Sequence, residues 1–197
     1  MPPLLPLLHD IRACRACEEY LPLGPRPVLV ADARARILVA GQAPGTRVHA
    51  TGIPWNDASG RRLREWLGLA PEVFYDPARV AIVPMGFCYP GSGPSGDRPP
   101  RPECRRLWHG RIFALLPNLA LRIVIGRYAL AYHLPGRGRA SLTDTVAAWR
   151  TWAPALYPLP HPSPRNQMWL KRNPWFAAEL LPDLRATVAR VLEDASL

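Results

Sequence analysis

Four short apolar segments, separated by stretches of helical periodicity, constrain the fold of this chain most strongly. Each is followed by Gly, Pro or a polar turn, and they cover residues 35–40 (ARILVA), 79–83 (RVAIV), 121–125 (LRIVI) and 155–159 (ALYPL). Short runs that are apolar throughout are typical of strands buried in a parallel sheet. The sequence therefore predicts a three-layer α/β fold with a central four-stranded parallel sheet. The length of 197 residues suits a single domain over 1–197.

Helices are predicted where apolar residues recur three and four positions apart. Leu63, Trp66 and Leu67 share one face of the first predicted helix, and Ser59 is its expected N-cap. Pro182 should kink or split the last predicted helix. The remaining helical segments are 103–116, 126–134 and 174–192. In a doubly wound sheet the ligand lies beyond the carboxyl ends of the strands, so we expect function in the long loops 41–63, 84–104 and 160–169.

The charge balance points to a polyanionic partner. Lys and Arg number 25 against 15 Asp and Glu, which gives a net charge of +10. Apolar runs are far shorter than the roughly 20 residues that span a bilayer, and the N-terminus has no basic region before its apolar residues. We therefore expect a soluble cytoplasmic protein with no membrane partner.

The four cysteines form a pattern of their own. Cys14 and Cys17 make a C-x2-C pair, and Cys88 and Cys104 flank the second long loop. In a reducing compartment, four such thiols suit a zinc ion or an iron–sulfur cluster, and the spacing does not choose between them. The alternative is two unrelated pairs of buried free cysteines.

Three ordered motifs accompany these cysteines: GQAPG at 41–45, followed by TGIPW at 51–55, then the Pro/Gly-rich 88–104 loop, then HPSPRN at 161–166. Together with the cysteine layout they resemble the uracil-DNA glycosylase superfamily, in particular its iron–sulfur branches, families four and five. The resemblance covers nearly the whole chain. It implies a repair enzyme that hydrolyses the N-glycosidic bond of uracil or another deaminated base in DNA and leaves an abasic site.

The resemblance also implies a cofactor and a mode of action. Its relatives hold a [4Fe-4S] cluster with cysteines placed like Cys14, Cys17, Cys88 and Cys104, which makes the N-terminus a cluster-binding segment. We expect a monomer in the cytoplasm, associated with nucleoid DNA that contains deaminated bases. Lys171 is the only lysine, so Schiff-base chemistry is not expected and the enzyme should be monofunctional.

Two residues are the expected catalytic groups. His161, held in a proline-rich turn after the fourth strand, is placed to donate a hydrogen bond to the leaving base. Asp57 matches the carboxylate of the family-five pattern and would orient water or stabilise the cationic sugar. The alternative for Asp57 is that it, or Ser59, only caps the following helix.

The expected substrate-binding residues surround these two. Gln42 and the backbone of Ala43, Pro44 and Gly45 should border the base, and Trp55 should stack on it unless it is a core residue. In the last motif we expect contacts to the DNA from Ser163, Arg165 and Asn166. Further basic candidates for DNA contact are Arg61, Arg62, Arg64, Arg101, Arg105, Arg106, Lys171 and Arg172.

The sequence departs from the relatives at two points. Ala43 stands where the best-known members carry Asp or Asn, and Pro84 and Met85 stand where strict uracil readers carry Asn. Base choice is then either relaxed toward other deaminated bases or made by Asn56, Asn166, Gln42 or a main-chain amide. Two alternatives stay open: a catalytically weak or inactive iron–sulfur DNA-binding protein on the same scaffold, and an unrelated zinc-containing nucleotide hydrolase.

Overall fold

The computed structural model describes residues 4–94, 96–137 and 140–194. At its centre lies a parallel sheet of four strands, Ile37–Ala40 (β1), Val80–Ile82 (β2), Leu121–Ile125 (β5) and Leu156–Leu159 (β6). Their order across the sheet is β2-β1-β5-β6. All four predicted strands are confirmed, each within two residues of its expected bounds. Pro158 is tolerated in β6 because that strand lies at the edge of the sheet.

The second long loop contains a feature that the sequence analysis missed. Ser92–Gly93 (β3) and Gly96–Asp97 (β4) pair as a small antiparallel hairpin. This Gly-rich segment has no alternation of apolar and polar residues, so a hairpin here leaves no periodic pattern in the sequence. The hairpin projects Asp97 toward the end of the sheet where the predicted site lies.

The α-helices surround the sheet on both faces, as predicted for a three-layer fold. They run over Leu4–Arg12 (α1), Thr46–Thr51 (α2), Ala58–Leu67 (α3), Pro71–Phe74 (α4), Pro102–Cys104 (α5), Gly110–Ala114 (α6), Gly126–His133 (α7), Leu142–Ala147 (α8), Gln167–Arg172 (α9) and Leu181–Glu193 (α10). Short 3₁₀ turns cover Glu18–Tyr20, Pro135–Arg137, Trp149–Thr151 and Pro164–Asn166. None of the helices in the described ranges is long and apolar enough to cross a membrane.

Two predicted helices contain a π-helical turn. The 103–116 helix is α5 followed by the π-turn Arg105–His109 and α6, and the 174–192 helix is the π-turn Phe176–Leu180 followed by α10. Pro182 lies in the first turn of α10, where its missing N–H costs no hydrogen bond. The change from the π-turn to α10 falls just before Pro182, but the backbone at Leu180 and Leu181 stays helical, so the chain changes its helix type here without a break.

Two hydrophobic cores lie on opposite faces of the sheet. On one face, Leu38 and Val124 pack against α1, α6 and α7. On the other, Ile37 and Ile123 pack against α3 and α10. Alternate residues of each strand therefore enter different cores, which explains why the strand segments are apolar throughout.

The order of the strands fixes where a ligand can bind. From β1 the chain crosses to β2 on one side, and it later returns to β5 on the other side of β1. A crevice forms beyond the carboxyl ends of the strands where the winding direction reverses. The loops after β1, β2 and β6 all meet at this end of the sheet.

Candidate active site

A cavity of about 330 Å³ occupies that end of the sheet. Nine of the residues expected at the site line it: Gln42, Ala43, Pro44, Gly45, Trp55, Asp57, His161, Ser163 and Arg165. They come from the loops after β1 and β6, which are more than 100 residues apart in the chain. The parallel sheet brings them together because the carboxyl ends of its strands lie at one edge.

Trp55 is held in an unusual conformation at the wall of this cavity. Its φ of 57° lies in the left-handed region, which bulky residues rarely adopt. Gly41 and Gly60 make room for it, because a Cβ at Gly41 would stand 2.8 Å from the indole and one at Gly60 would stand 1.6 Å from the Trp55 carbonyl oxygen. Backbone strain of this kind persists where the surroundings fix it, so the indole face is pre-positioned beside the cavity.

Asp57 both caps a helix and faces the cavity. Its Oδ1 accepts a hydrogen bond from the backbone N–H of Gly60 at 2.8 Å, and it is the N-cap of α3. The prediction that Ser59 caps this helix is wrong, because the helix begins two residues earlier and Ser59 lies buried inside its first turn. Among the described residues, no side chain or backbone group is hydrogen-bonded to the second carboxylate oxygen of Asp57. The carboxylate therefore keeps one oxygen, with its negative charge, accessible to a ligand.

His161 lies across the cavity from the turn after β1. Its ring centroid is 5.6 Å from that of Trp55, at an interplanar angle of 34°. Burial lowers the pKa of His161 below its ordinary value, while the carboxylates of Asp57 and Asp97 oppose that shift. The imidazole is therefore neutral near pH 7 and carries one N–H that can donate to a ligand.

The turn that carries His161 is fixed from two sides. The Asn166 amide donates to the carbonyl oxygen of His161 at 2.7 Å, and the Arg62 guanidinium donates to the carbonyl oxygen of Ser163 at 3.1 Å. Asn166 was expected to bind substrate, but it lies outside the residues that line the cavity. One of its two amide N–H groups positions the turn, because that N–H is bonded to the His161 carbonyl oxygen.

Asp97 is the cavity residue that sequence reasoning missed. Its Oδ2 lies at 3.7 Å from where a Cβ on Gly45 would stand, and it lines the same cavity as His161. Partial burial raises its pKa, and the positive charge of Arg165 opposes that shift. The only signal in the sequence was a single Asp within a Pro/Gly-rich loop.

The comparison with known families bears directly on this site. A family model described as the uracil DNA glycosylase superfamily matches residues 28–185. This chain belongs to the uracil DNA glycosylase superfamily. Membership in this superfamily assigns the chain a DNA glycosylase type of activity. Such a protein is a hydrolase of DNA repair, and its substrate is DNA. The matched range includes every cavity residue named above, along with Cys88 and Cys104, but it begins after Cys14 and Cys17.

Several basic residues expected to hold DNA in this glycosylase-superfamily chain contact the protein itself. Arg64 packs over the Phe74 and Tyr75 rings at 5.6 and 5.4 Å and donates to the Tyr75 hydroxyl. Arg105 lies 5.0 Å from the Tyr132 ring centroid. Such stacking holds a guanidinium against the protein and limits its reach to a phosphate. Arg61, Lys171 and Arg172 are exposed and remain candidates for DNA contact.

The four cysteines of the superfamily chain gather at one corner beside the hairpin loop. Cys17 and Cys88 lie in one buried cluster, and the Phe87 N–H donates to the Cys104 Sγ at 3.4 Å. The pKa of Cys88 is raised to about 11 and that of Cys104 to about 12, chiefly by burial, and Cys17 and Cys14 contribute to both shifts. All four thiols are free of disulfides.

The four thiols of this corner are the donor chemistry that would hold a positively charged group. Thiolates that repel one another in a buried site are stabilised by a coordinated metal, which deprotonates them. Within the described ranges, no three His, Cys, Asp or Glu side chains are arranged around a single metal ion. Four thiolates around one zinc would stand roughly 3.8 Å apart, whereas an iron–sulfur cluster separates its ligands more widely.

Proposed function

We propose that this protein hydrolyses the N-glycosidic bond of uracil or another deaminated base in DNA and leaves an abasic site. The observation that carries the proposal is the meeting of His161, Asp57 and the 42–45 turn in one cavity. Enzymes of this kind take the base out of the stack and read it in a pocket, because the target atom is inaccessible in a duplex. A cavity that opens at the sheet edge suits one extruded nucleotide.

The chemistry follows from the two charged species that form. When the bond between C1′ and the base nitrogen breaks, its electron pair leaves with the base and the sugar becomes cationic. The neutral His161 ring donates its N–H to the developing negative charge on the base oxygen. Asp57 faces the cationic sugar with its unshared carboxylate oxygen and orients the water that attacks C1′. As the new C1′–O bond forms, that water passes one proton through the Asp57 carboxylate to solvent, and the released base anion takes up a proton from solvent, so the products are the neutral base and the abasic sugar.

We propose that the enzyme is monofunctional. Strand cleavage by β-elimination needs an amine that forms a Schiff base with the sugar. Lys171, the only lysine of the chain, lies in α9 and outside the residues that line the cavity. The expected product is therefore an abasic site in an intact strand.

We propose that Cys14, Cys17, Cys88 and Cys104 hold a [4Fe-4S] cluster. Support comes from the four free thiols at one corner and from the raised pKa values of Cys88 and Cys104, to which Cys14 and Cys17 contribute. When bound, the cluster links the N-terminal segment to the 88–104 loop, and it supplies no group to the hydrolysis. Zinc in the same thiols is the alternative, and the absorption near 400 nm of an iron–sulfur protein distinguishes the two.

We further propose that base choice is relaxed toward several deaminated bases. Pro84 has no N–H, and its carbonyl oxygen is already bonded to the His109 ring at 3.1 Å. The Gln42 amide donates one of its two N–H groups to the Arg98 carbonyl oxygen at 3.2 Å, so this side chain is shared between the 84–104 loop and a bound base. Pro84 and Met85 add no side-chain amide, so fewer groups read the base edge and the choice of base is less strict.

The decisive experiment is base release from synthetic DNA. Purified protein is incubated with oligonucleotides that carry uracil, hypoxanthine or xanthine, and abasic sites are then revealed by alkali. His161→Ala serves as the control for contaminating glycosylase. Release by the parent but not by the variant supports the proposal, and no release of any deaminated base by the parent contradicts it.

A second function is favoured by one observation. Ala43 offers no polar side chain at the place where a water would be held, and one Asp57 oxygen is occupied in the helix cap. On this reading the protein binds DNA through the same scaffold with little or no catalysis. We propose a monomer bound to nucleoid DNA in the cytoplasm for either function, and light scattering with and without DNA tests the monomer.

A further inference from the structure

A second groove, of about 520 Å³, lies beside the active-site cavity. We call it the Tyr20 groove; it is lined by Glu19–Pro22 of the N-terminal segment and by Pro90 and Arg98–Pro102 of the 84–104 loop. The proposed hydrolysis makes no use of it. Five prolines form much of its wall, so its shape is fixed by rings with little conformational freedom.

One aromatic side chain in this groove is accessible to a ligand. Tyr20 is 51% exposed, an unusual degree for a large ring. The Arg101 guanidinium stacks over it, with Cζ 4.1 Å from the ring centroid, and Arg101 is itself held by two hydrogen bonds to Glu103 of 3.1 and 2.6 Å. The ring is thus oriented before any ligand arrives, because a fixed cation covers part of it.

The charge of the groove favours a negatively charged strand. Arg98 is exposed and has no ion pair among the described residues, while the Arg101 charge is shared with Glu103. Glu19 is the one carboxylate in the lining, and Arg98 is the cation there that forms no ion pair among the described residues. A cationic groove with an accessible aromatic ring and apolar walls is the usual binding surface for single-stranded nucleic acid.

The groove also continues directly from the active site. Asp97 lines the active-site cavity and Arg98, its neighbour, lines the Tyr20 groove. Gln42 of the active site donates to the carbonyl oxygen of Arg98, which fixes the wall between them. The cavity and the groove share the wall formed by Asp97 and Arg98, so a strand with one base in the cavity passes the groove within roughly one or two nucleotides.

We propose that the Tyr20 groove binds an unpaired base of the damaged strand, one or two nucleotides from the base that enters the active site. This inference rests on DNA being the substrate. The base stacks on the exposed part of the Tyr20 ring between proline walls, and Arg98 contacts the adjoining phosphate. Contacts to a base face tolerate any sequence, so the groove strengthens binding to single-stranded or locally opened DNA without selecting a sequence.

The test measures binding of an undamaged single strand, which needs no catalysis. The affinity of a fluorescent twelve-nucleotide oligothymidylate is compared for the parent, Tyr20→Ala and Tyr20→Phe, with Leu23→Ala as the matched control. Leu23 is 54% exposed in the same segment but outside the groove. We expect Tyr20→Ala to bind about 5- to 100-fold more weakly, and Tyr20→Phe and Leu23→Ala to bind within about twofold of the parent.

Arg98→Gln gives an independent measurement. Loss of one phosphate contact should reduce the slope of log affinity against log salt by about 0.7 on a single strand. Parent-like binding by Tyr20→Ala, an equal loss in Leu23→Ala, or no binding of oligothymidylate by the parent would overturn the proposal. Base release from duplex DNA is measured on the same samples, so a failure of the groove is separated from a failure of the proposed glycosylase activity.

Discussion

Replacement of Asp57 separates its charge from its hydrogen bond. Asn at this position keeps an oxygen that accepts from the Gly60 N–H, and Asn is as good an N-cap as Asp, so α3 should be retained. Ala removes both the cap and the charge. The proposed mechanism therefore expects Asp57→Asn to lose catalysis with almost no loss of stability, and Asp57→Ala to lose both.

The expected magnitudes of the two losses differ. A carboxylate about 4 Å from a cationic sugar contributes about 4 kcal/mol at an effective dielectric constant of 20, which corresponds to a rate loss of about 10³-fold. Loss of the cap costs about 1 kcal/mol, and for a chain of this length that lowers Tm by about 2 to 4 °C.

Single-turnover base release and thermal unfolding are measured on the parent and on both variants. Single-turnover conditions isolate bond cleavage from product release. Parent-like cleavage by Asp57→Asn, together with a lowered Tm in Asp57→Ala, would refute the catalytic role and leave Asp57 as a helix cap alone. In that case the carbonyls and amides of the 42–45 turn would have to position the water.

Three further predictions follow from the site and its surroundings. His161→Ala should slow single-turnover cleavage by about 10² to 10³ with DNA affinity nearly unchanged, as is usual for loss of one preorganised donor; weaker binding at an unchanged cleavage rate would argue against it. Cys88→Ser should lose iron and the absorption near 400 nm, whereas a full iron content would exclude Cys88 as a ligand. Burial lowers the pKa of His109 to about 4, so only the unfolded chain takes up its proton between pH 6.5 and 4. The contribution of His109 to the free energy of unfolding is fully present above pH 6.5 and should fall by about 3 kcal/mol as the pH drops to 4. A free energy of unfolding in urea that does not change over this pH range would contradict the burial argument.

The strands were predictable because the residues that they bury form continuous apolar runs in the sequence. Each strand of the sheet contributes alternate residues to two cores, so it must be apolar at every position. The motif residues that follow β1 and β6 were predictable for a related reason, since parallel strands deliver their following loops to one edge of the sheet.

The helix boundaries and the hydrogen-bond partners were less accessible. Ser59 and Asp57 are both good N-caps, and the choice between them depends on the left-handed turn at Trp55 and its contact with Gly60. Asn166 has the chemistry of a base reader, yet the His161 carbonyl oxygen within reach of its amide makes it a positioning residue. Local conformational propensity cannot rank such competing caps and hydrogen-bond partners, because all of them are equally suitable until the chain is folded.

The sequence by itself determined the class of the fold, the order of its elements, the loops that carry chemistry and the excess of positive charge. These properties depend on the amino-acid composition and on apolar patterns that repeat every few residues. The tertiary structure decided which side chains share a space: Arg62 with the Ser163 carbonyl oxygen 101 positions away, Asp97 with His161 in one cavity, and Tyr20 with Arg101 in the adjoining groove. The physical reason is that such contacts depend on the strand order and on the hairpin of the second loop, which bring together residues that have no periodic relation along the chain.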